Sequence, residues 1–118
     1  MKRELRDQWL KALRSGAYDQ GQSALRIQDL EVCKCCCLGV LADVSDAFEW
    51  DGDAAVFNVD VDGRENDPLY WVDFDWDVLS YLGLTVDQQG ILIDMNDSTE
   101  HSFDDIANWI EKNIDVEV

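Results

Sequence analysis

Between Ala54 and Asp77 the chain reads AAVFNVDVDGRENDPLYWVDFDWD, two runs in which apolar residues recur at every second position. That is the period of a strand. Phe57, Val59 and Val61 fall on one side of the first run, and Tyr70, Val72, Phe74 and Trp76 on one side of the second. Asn58, Asp60 and Asp62, then Asp73, Asp75 and Asp77, take the opposite sides. Gly63-Arg64-Glu65-Asn66-Asp67-Pro68 between the runs is rich in turn formers, so the stretch predicts an antiparallel hairpin. With the apolar sides together, Asp60, Asp62, Asp73, Asp75 and Asp77 share one exposed face, and Asp51, Asp53 and Asp67 extend it. Side chains two apart on a strand stand about 7 Å apart. Successive phosphates of a DNA strand are similarly spaced, so such a face would imitate a phosphate backbone in shape and charge.

The charge of the whole chain points the same way. The 118 residues carry 26 Asp and Glu against nine Lys and Arg, a formal net charge of −17. The imbalance is uneven: residues 1–34 sum to +2 and residues 35–118 to −19. A field of this sign excludes nucleic acid and anionic membranes as direct ligands and favours basic partners, such as a cationic cleft, a divalent metal or a nucleic-acid-binding protein. Solubility in a salty environment is the plainer explanation of the total, and strand alternation alone would also space the aspartates regularly. With 47% apolar residues and five Trp, the chain is not a disordered acidic tail. The length suits a single acidic globular domain over residues 1–118. No run approaches the roughly 18 apolar residues of a membrane helix, and no signal-peptide pattern opens the chain, so a cytoplasmic location is expected.

Residues 2–15 predict an amphipathic helix with Leu5, Trp9, Ala12 and Leu13 on one face, stopped at Gly16. The following stretch to Gln28 reads as turns and a short extended piece, with Tyr18, Leu25 and Ile27 packing back. Leu38, Leu41, Val44 and Phe48 predict a largely buried helix from about Cys36 to Phe48. Trp76 to Leu84 predicts a short helix ending at Gly83. Val86 to Asp97 fits either a strand, through Ile91, Ile93 and Met95, or a helix. Ser102 is the expected N-cap of a last helix, with Asp105 completing a capping box and Ile106, Trp109, Ile110 and Ile114 as its buried stripe.

The four cysteines sit together at Cys33, Cys35, Cys36 and Cys37. Four thiols within five residues cannot easily surround one ion, and a structural zinc site draws ligand pairs from separate segments. Small, buried, reduced cysteines capping a core helix are the expectation, and no cofactor is expected.

Leu13-Arg14-Ser15-Gly16, Tyr18, Gln20-Gly21 and Leu25, then Cys36-Cys37-Leu38-Gly39-Val40-Leu41, resemble a family of small uncharacterised proteins of tailed phages and prophages. These carry LRSGxYxQG followed by CCLGVL. The similarity resumes at Leu82-Gly83-Leu84, Met95-Asn96-Asp97, Ser102-Phe103 and Ile106-Ala107, and it skips the acidic stretch. The resemblance implies a phage or prophage origin, hence the host cytoplasm, and carries no activity with it.

Catalysis finds little support in the sequence. Acid–base work needs carboxylates in different environments within a cleft. His101, the one histidine, has no Ser or Cys in a motif beside it and reads as a surface or capping residue. Asp60-x-Asp62-Gly63 and Asp73-x-Asp75-x-Asp77 echo calcium loops. Position six is Glu65 or Val78 rather than Gly, however, and position twelve is Trp71 or Leu84 rather than Glu. The expected architecture is therefore a small α+β domain with about three to four helices and an antiparallel hairpin or small sheet bearing an acidic face. The expected function is non-enzymatic binding to a basic cleft of a host protein, such as a nuclease, by imitation of DNA. A divalent-metal-binding or structural acidic module of a phage is the alternative. Trp50 and Trp71 are candidate exposed aromatics for a second contact surface.

Overall fold

The computed structural model describes residues 1–29, 32–59, 69–98 and 100–116. Its organising element is α2 (Cys37–Val44), of which Cys37 to Ala42 are all buried. A helix apolar all round must be covered on every side, and α1 (Arg3–Arg14), α4 (Val86–Asp97) and strands β3 (Val32–Cys35) and β4 (Phe48–Asp51) pack against it. Trp9, Leu10 and Leu13 form the buried stripe of α1. The Trp9 indole, fully buried, donates its N–H to the Cys37 carbonyl at 2.9 Å, satisfying both polar groups in the core. The other side of α1 meets α5 (Phe103–Asn113), where Arg14 forms an ion pair of 2.6 Å with Glu111.

The expected helix from Cys36 to Phe48 is cut short at Val44. Ser45 leaves the helical region at ψ 132°, and its hydroxyl accepts from the Ala47 N–H at 3.2 Å. A serine that offers the backbone a local turn competes with another helical residue, so Phe48 opens strand β4 instead. β4 and β5 (Ala54–Phe57) form an antiparallel hairpin through a two-residue loop, Gly52-Asp53. Gly52 has φ +60°, a backbone that glycine supplies at the first loop position. β6 (Leu69–Tyr70) completes this sheet in the order β4-β5-β6, all antiparallel. A second small sheet joins β1 (Asp19–Gln20), β3 and β2 (Arg26–Asp29) in the order β1-β3-β2, with β1 parallel and β2 antiparallel to β3. The described residues thus hold five helices and two three-stranded sheets, an α+β arrangement with more helix than the sequence predicted.

Much of that extra helix is α4. Thr85 and Gln88 form a capping box, and Gln89, Leu92 and Asn96 are buried on one face. This is helical spacing, so the alternation of Ile91, Ile93 and Met95 goes unused. The last helix follows expectation: Ser102 caps α5 with Asp105 reciprocating, and Phe103, Ile106, Ala107 and Ile110 are buried.

The second strand of the expected hairpin is the main correction. Only Leu69 and Tyr70 pair in the sheet. Tyr70, Phe74 and Val78 turn inward at 8%, 3% and 0% exposure, whereas Val72 and Trp76 stand out at 47% and 71%. The inward period is four rather than two because the chain turns at Asp75 into α3 (Trp76–Leu82). Phe74 reaches Phe48 and Tyr70 with ring centroids 5.2 and 5.7 Å away, and Phe48 meets Phe57 across the β4–β5 pair at 5.3 Å, the rings tilted by 54°. Aromatic contacts of this kind outweigh the weak preference of two further residues for a strand.

Candidate functional site

The aspartates divide into three groups. Asp60, Asp62 and Asp67 lie outside the described residues. Asp51 and Asp53 belong to the β4–β5 hairpin: Asp51 is exposed, and the half-buried Asp53 accepts the Gln28 N–H at 3.0 Å, fastening the hairpin tip to β2. Asp73, Asp75 and Asp77 do not form a strand face. Asp75 is the N-cap of α3 and accepts from the Val78 N–H at 3.1 Å, while Asp77 sits half-buried in the first helical turn. Both placements suit carboxylates at the positive end of a helix. Asp73 is exposed on the irregular segment before the cap.

The aspartates are therefore interleaved with apolar side chains rather than opposed to them. Within Leu69 to Asp77, Leu69, Trp71, Val72 and Trp76 are all exposed by roughly half or more. Trp71 is 56% exposed and anchored through its backbone, its carbonyl accepting the Leu25 N–H at 2.7 Å. Trp50 is different from the expectation. It is half-buried, donates its indole N–H to Asp43 at 3.0 Å, and carries the Arg26 guanidinium 4.3 Å above its ring. Tyr18 donates to the same Asp43 carboxylate, and Arg26 donates to the Gly52 carbonyl. Burial and the neighbouring Asp43 push the Tyr18 hydroxyl well above its ordinary range. This cluster was not legible in the sequence, since its members lie on four separate segments. It joins the end of α2 to both sheets, and the Arg26 Nε within it is buried without a hydrogen-bond partner.

Cys35, Cys36 and Cys37 behave as the expected core residues, whereas Cys33, on β3, does not. Cys36 caps α2, its sulfur accepting the Gly39 N–H at 3.4 Å, and Cys37 is fully buried with its sulfur 3.6 Å from the Leu92 carbonyl. All four are free, and Cys33 alone is exposed. Burial raises the Cys35 thiol to about 12, the Cys36 thiol to about 11, and Cys37 well above its ordinary value. A thiol whose folded pKa is raised stays protonated while the unfolded chain ionises. Stability is then full below the unfolded pKa, near 8.5, and falls as pH rises toward the folded value, by at most about 1.4 kcal/mol per pH unit for each thiol. The melting temperature is expected to drop between pH 8.5 and 11, and a Cys36→Ala variant should show a shallower alkaline slope. Equal slopes would remove Cys36 from the account.

Among the described residues no group of three His, Cys, Asp or Glu side chains is placed to hold a metal ion, and Asp73, Asp75 and Asp77 are spread over a bend and a helix start. His101, half-buried, lends its carbonyl to the Gln20 side-chain amide at 3.1 Å. A hollow of about 190 Å³ lies between α1, the turn after α2, and α3, lined by Lys2, Glu4, Gln8, Asp46 and Tyr81 among others. The Ser45 hydroxyl in its lining accepts the Ala47 N–H at 3.2 Å. No helix among the described residues is long and apolar enough to cross a membrane.

No curated protein and no solved structure matches this chain. A family match does exist, and it runs from residue 1 to residue 114, spanning all five helices and both sheets. The chain belongs to that family, described as a domain of unknown function, DUF8296.

Proposed function

We propose that this protein is a non-enzymatic acidic binding protein of phage or prophage origin that occupies the basic site of a host protein. A nucleic-acid-binding or defence protein is the target class, and the carboxylates stand in for phosphates. The observation that carries the reading is the charge: −17 overall, with Arg64 the one Lys or Arg between residues 35 and 111. Uncompensated charge of this density raises repulsion within the fold, and a cationic partner relieves it. Asp51, Asp73 and Asp75 are exposed on the acidic half, consistent with a contact made by that half. The bend at Asp75 removes the regular strand spacing, so the imitation of nucleic acid lies in the field rather than in a ladder of evenly spaced groups.

Affinity capture from host lysate at low and high salt, with duplex DNA as competitor, tests the reading. A nucleic-acid-binding protein displaced by both DNA and salt is the expected result. The variant carrying Asp73→Asn, Asp75→Asn and Asp77→Asn should bind that protein at least tenfold more weakly at low salt. Its melting temperature should fall by only a few degrees, because Asn caps a helix about as well as Asp and the first-turn charge of Asp77 contributes about 0.3–1 kcal/mol. Unchanged binding by this variant would place the epitope elsewhere, and a partner indifferent to both DNA and salt would end the mimicry reading.

A further inference from the structure

The segment from Leu69 to Asp77 sends Tyr70 and Phe74 into the core and leaves Leu69, Trp71, Val72 and Trp76 outside at 51%, 56%, 47% and 71% exposure. Two largely exposed tryptophans and two exposed aliphatic side chains within eight residues are more than the scattered apolar exposure of an ordinary surface. Indole rings at an otherwise polar surface are the side chains most often found to anchor protein contacts. A purely electrostatic contact with a nucleic-acid channel would have no use for them.

We propose that this segment is the anchor of a docking surface for a cationic amphipathic helix of another protein, a helix with apolar residues on one face and Lys or Arg beside them. The inference rests on the acidic-binder reading and gives it a partner chemistry. Charge decides the occupant. Asp73, Asp75 and Asp77 lie among the apolar side chains, and no Lys or Arg occurs from residue 65 to residue 111. A second copy of this chain would set −17 against −17, and an anionic membrane would be repelled in the same way. A cationic amphipathic helix satisfies both features, since its apolar face covers the indoles while its flanking cations meet the carboxylates.

The test uses the full chain and two synthetic peptides of equal length and charge: an 18-residue Leu/Lys helix with one apolar face, and a Lys/Ser/Gly peptide with none. Titration is followed by tryptophan fluorescence and calorimetry. The parent is expected to bind the amphipathic peptide at least tenfold more tightly than the polar one, with a blue shift in emission. The Trp71→Ser, Trp76→Ser double variant should lose that margin while still binding the polar peptide as the parent does. An Ile91→Ser variant, changed at an exposed apolar side chain on α4, should keep it. Both tryptophan side chains project outward, and unchanged melting temperatures would verify that the variants fold. Equal binding of the two peptides by the parent overturns the apolar anchor and leaves the acidic reading standing. Failure to bind either peptide overturns the acidic reading itself. An equal loss with Ile91→Ser, or a sedimenting dimer that the tryptophan substitutions abolish, overturns the proposed surface or its occupant.

Discussion

Alanine in place of Gly39 is expected to cost this protein a large share of its stability. A Cβ at position 39 would stand 1.8 Å from the Leu25 carbonyl oxygen and 2.8 Å from the carbonyl carbon, both backbone atoms. Leu25 cannot retreat freely. It is fully buried, its carbonyl accepts the Cys36 N–H at 3.1 Å, and its own N–H is held by the Trp71 carbonyl at 2.7 Å. Relief of the clash therefore breaks the cap region of α2 or pulls β2 from the segment that carries the exposed tryptophans. Overpacking combined with buried groups losing their partners amounts to about 4 kcal/mol or more, against a total of roughly 5–15 kcal/mol. The expected fall in melting temperature is about 15 °C or more, read by circular dichroism. The sign is informative because Ala is otherwise the better helix former. At Gly90, in α4 and with open space around it, the same change should raise stability by about 1 kcal/mol. A Gly39→Ala protein melting at or above the parent would contradict the close approach of Leu25.

Leucine at position 96 should be the next most damaging change. Asn96 is 1% exposed and works in both directions at once. Its side-chain oxygen accepts from the Cys37 N–H at 3.0 Å and from the Gln20 amide at 3.3 Å, and its nitrogen donates to the Gly21 carbonyl at 2.7 Å. One amide thus ties α4 to the start of α2 and to the residue after β1. Leucine is close in size, so the cavity term is small and the loss is of hydrogen bonds. Stranding a buried N–H and a buried carbonyl costs about 1–3 kcal/mol each, so roughly 3–5 kcal/mol in total. Urea unfolding should show the midpoint lowered with the slope unchanged. A midpoint within error of the parent's would mean that water replaces the amide at no cost.

These two positions also show where the sequence was informative. Gly39 and Asn96 both lie in short stretches that the sequence reading singled out, CCLGVL and MND, yet nothing in either pattern says what the residue touches. Elements whose signals are local were legible: α1 with its apolar stripe, and α5 with Ser102 and Asp105 at its start. The segment from Leu69 to Asp77 was misread because its letters satisfy two periods at once. Tyr70, Val72, Phe74 and Trp76 alternate, but Tyr70, Phe74 and Val78 also recur every fourth residue, and Asp75 is a good N-cap for Val78. Burial chose the second pattern, and that choice needed Phe48 and Gln89 from elsewhere in the chain. The Gln89 side chain accepts from the Phe74 N–H at 2.9 Å and donates to its carbonyl at 3.2 Å, taking both groups that a strand partner would have used. A true hairpin signal was present earlier, at Gly52-Asp53, where it lay hidden beside the expected end of α2. The acidity of the candidate surface was plain in the sequence. Trp71 was expected outside and is; the outward ring of Trp76 was not, because alternation had assigned it to the interior.

The packing of α1 on α5 sets the timing of assembly in the cell. The two helices are separated by almost the whole length of the chain, Arg3–Arg14 against Phe103–Asn113. At synthesis rates of roughly 5–20 residues per second, α1 waits on the order of 5–20 s for the surface that covers it. Until then its flank is bare while α2, rich in apolar residues and cysteine, has already left the ribosome. Docking of α5 on α1 is thus a late step, after Trp9 has had α2 to pack against. The long acidic stretch that emerges between the two helices keeps the nascent chain strongly charged during that interval, and like charge holds unfinished copies on one polysome apart.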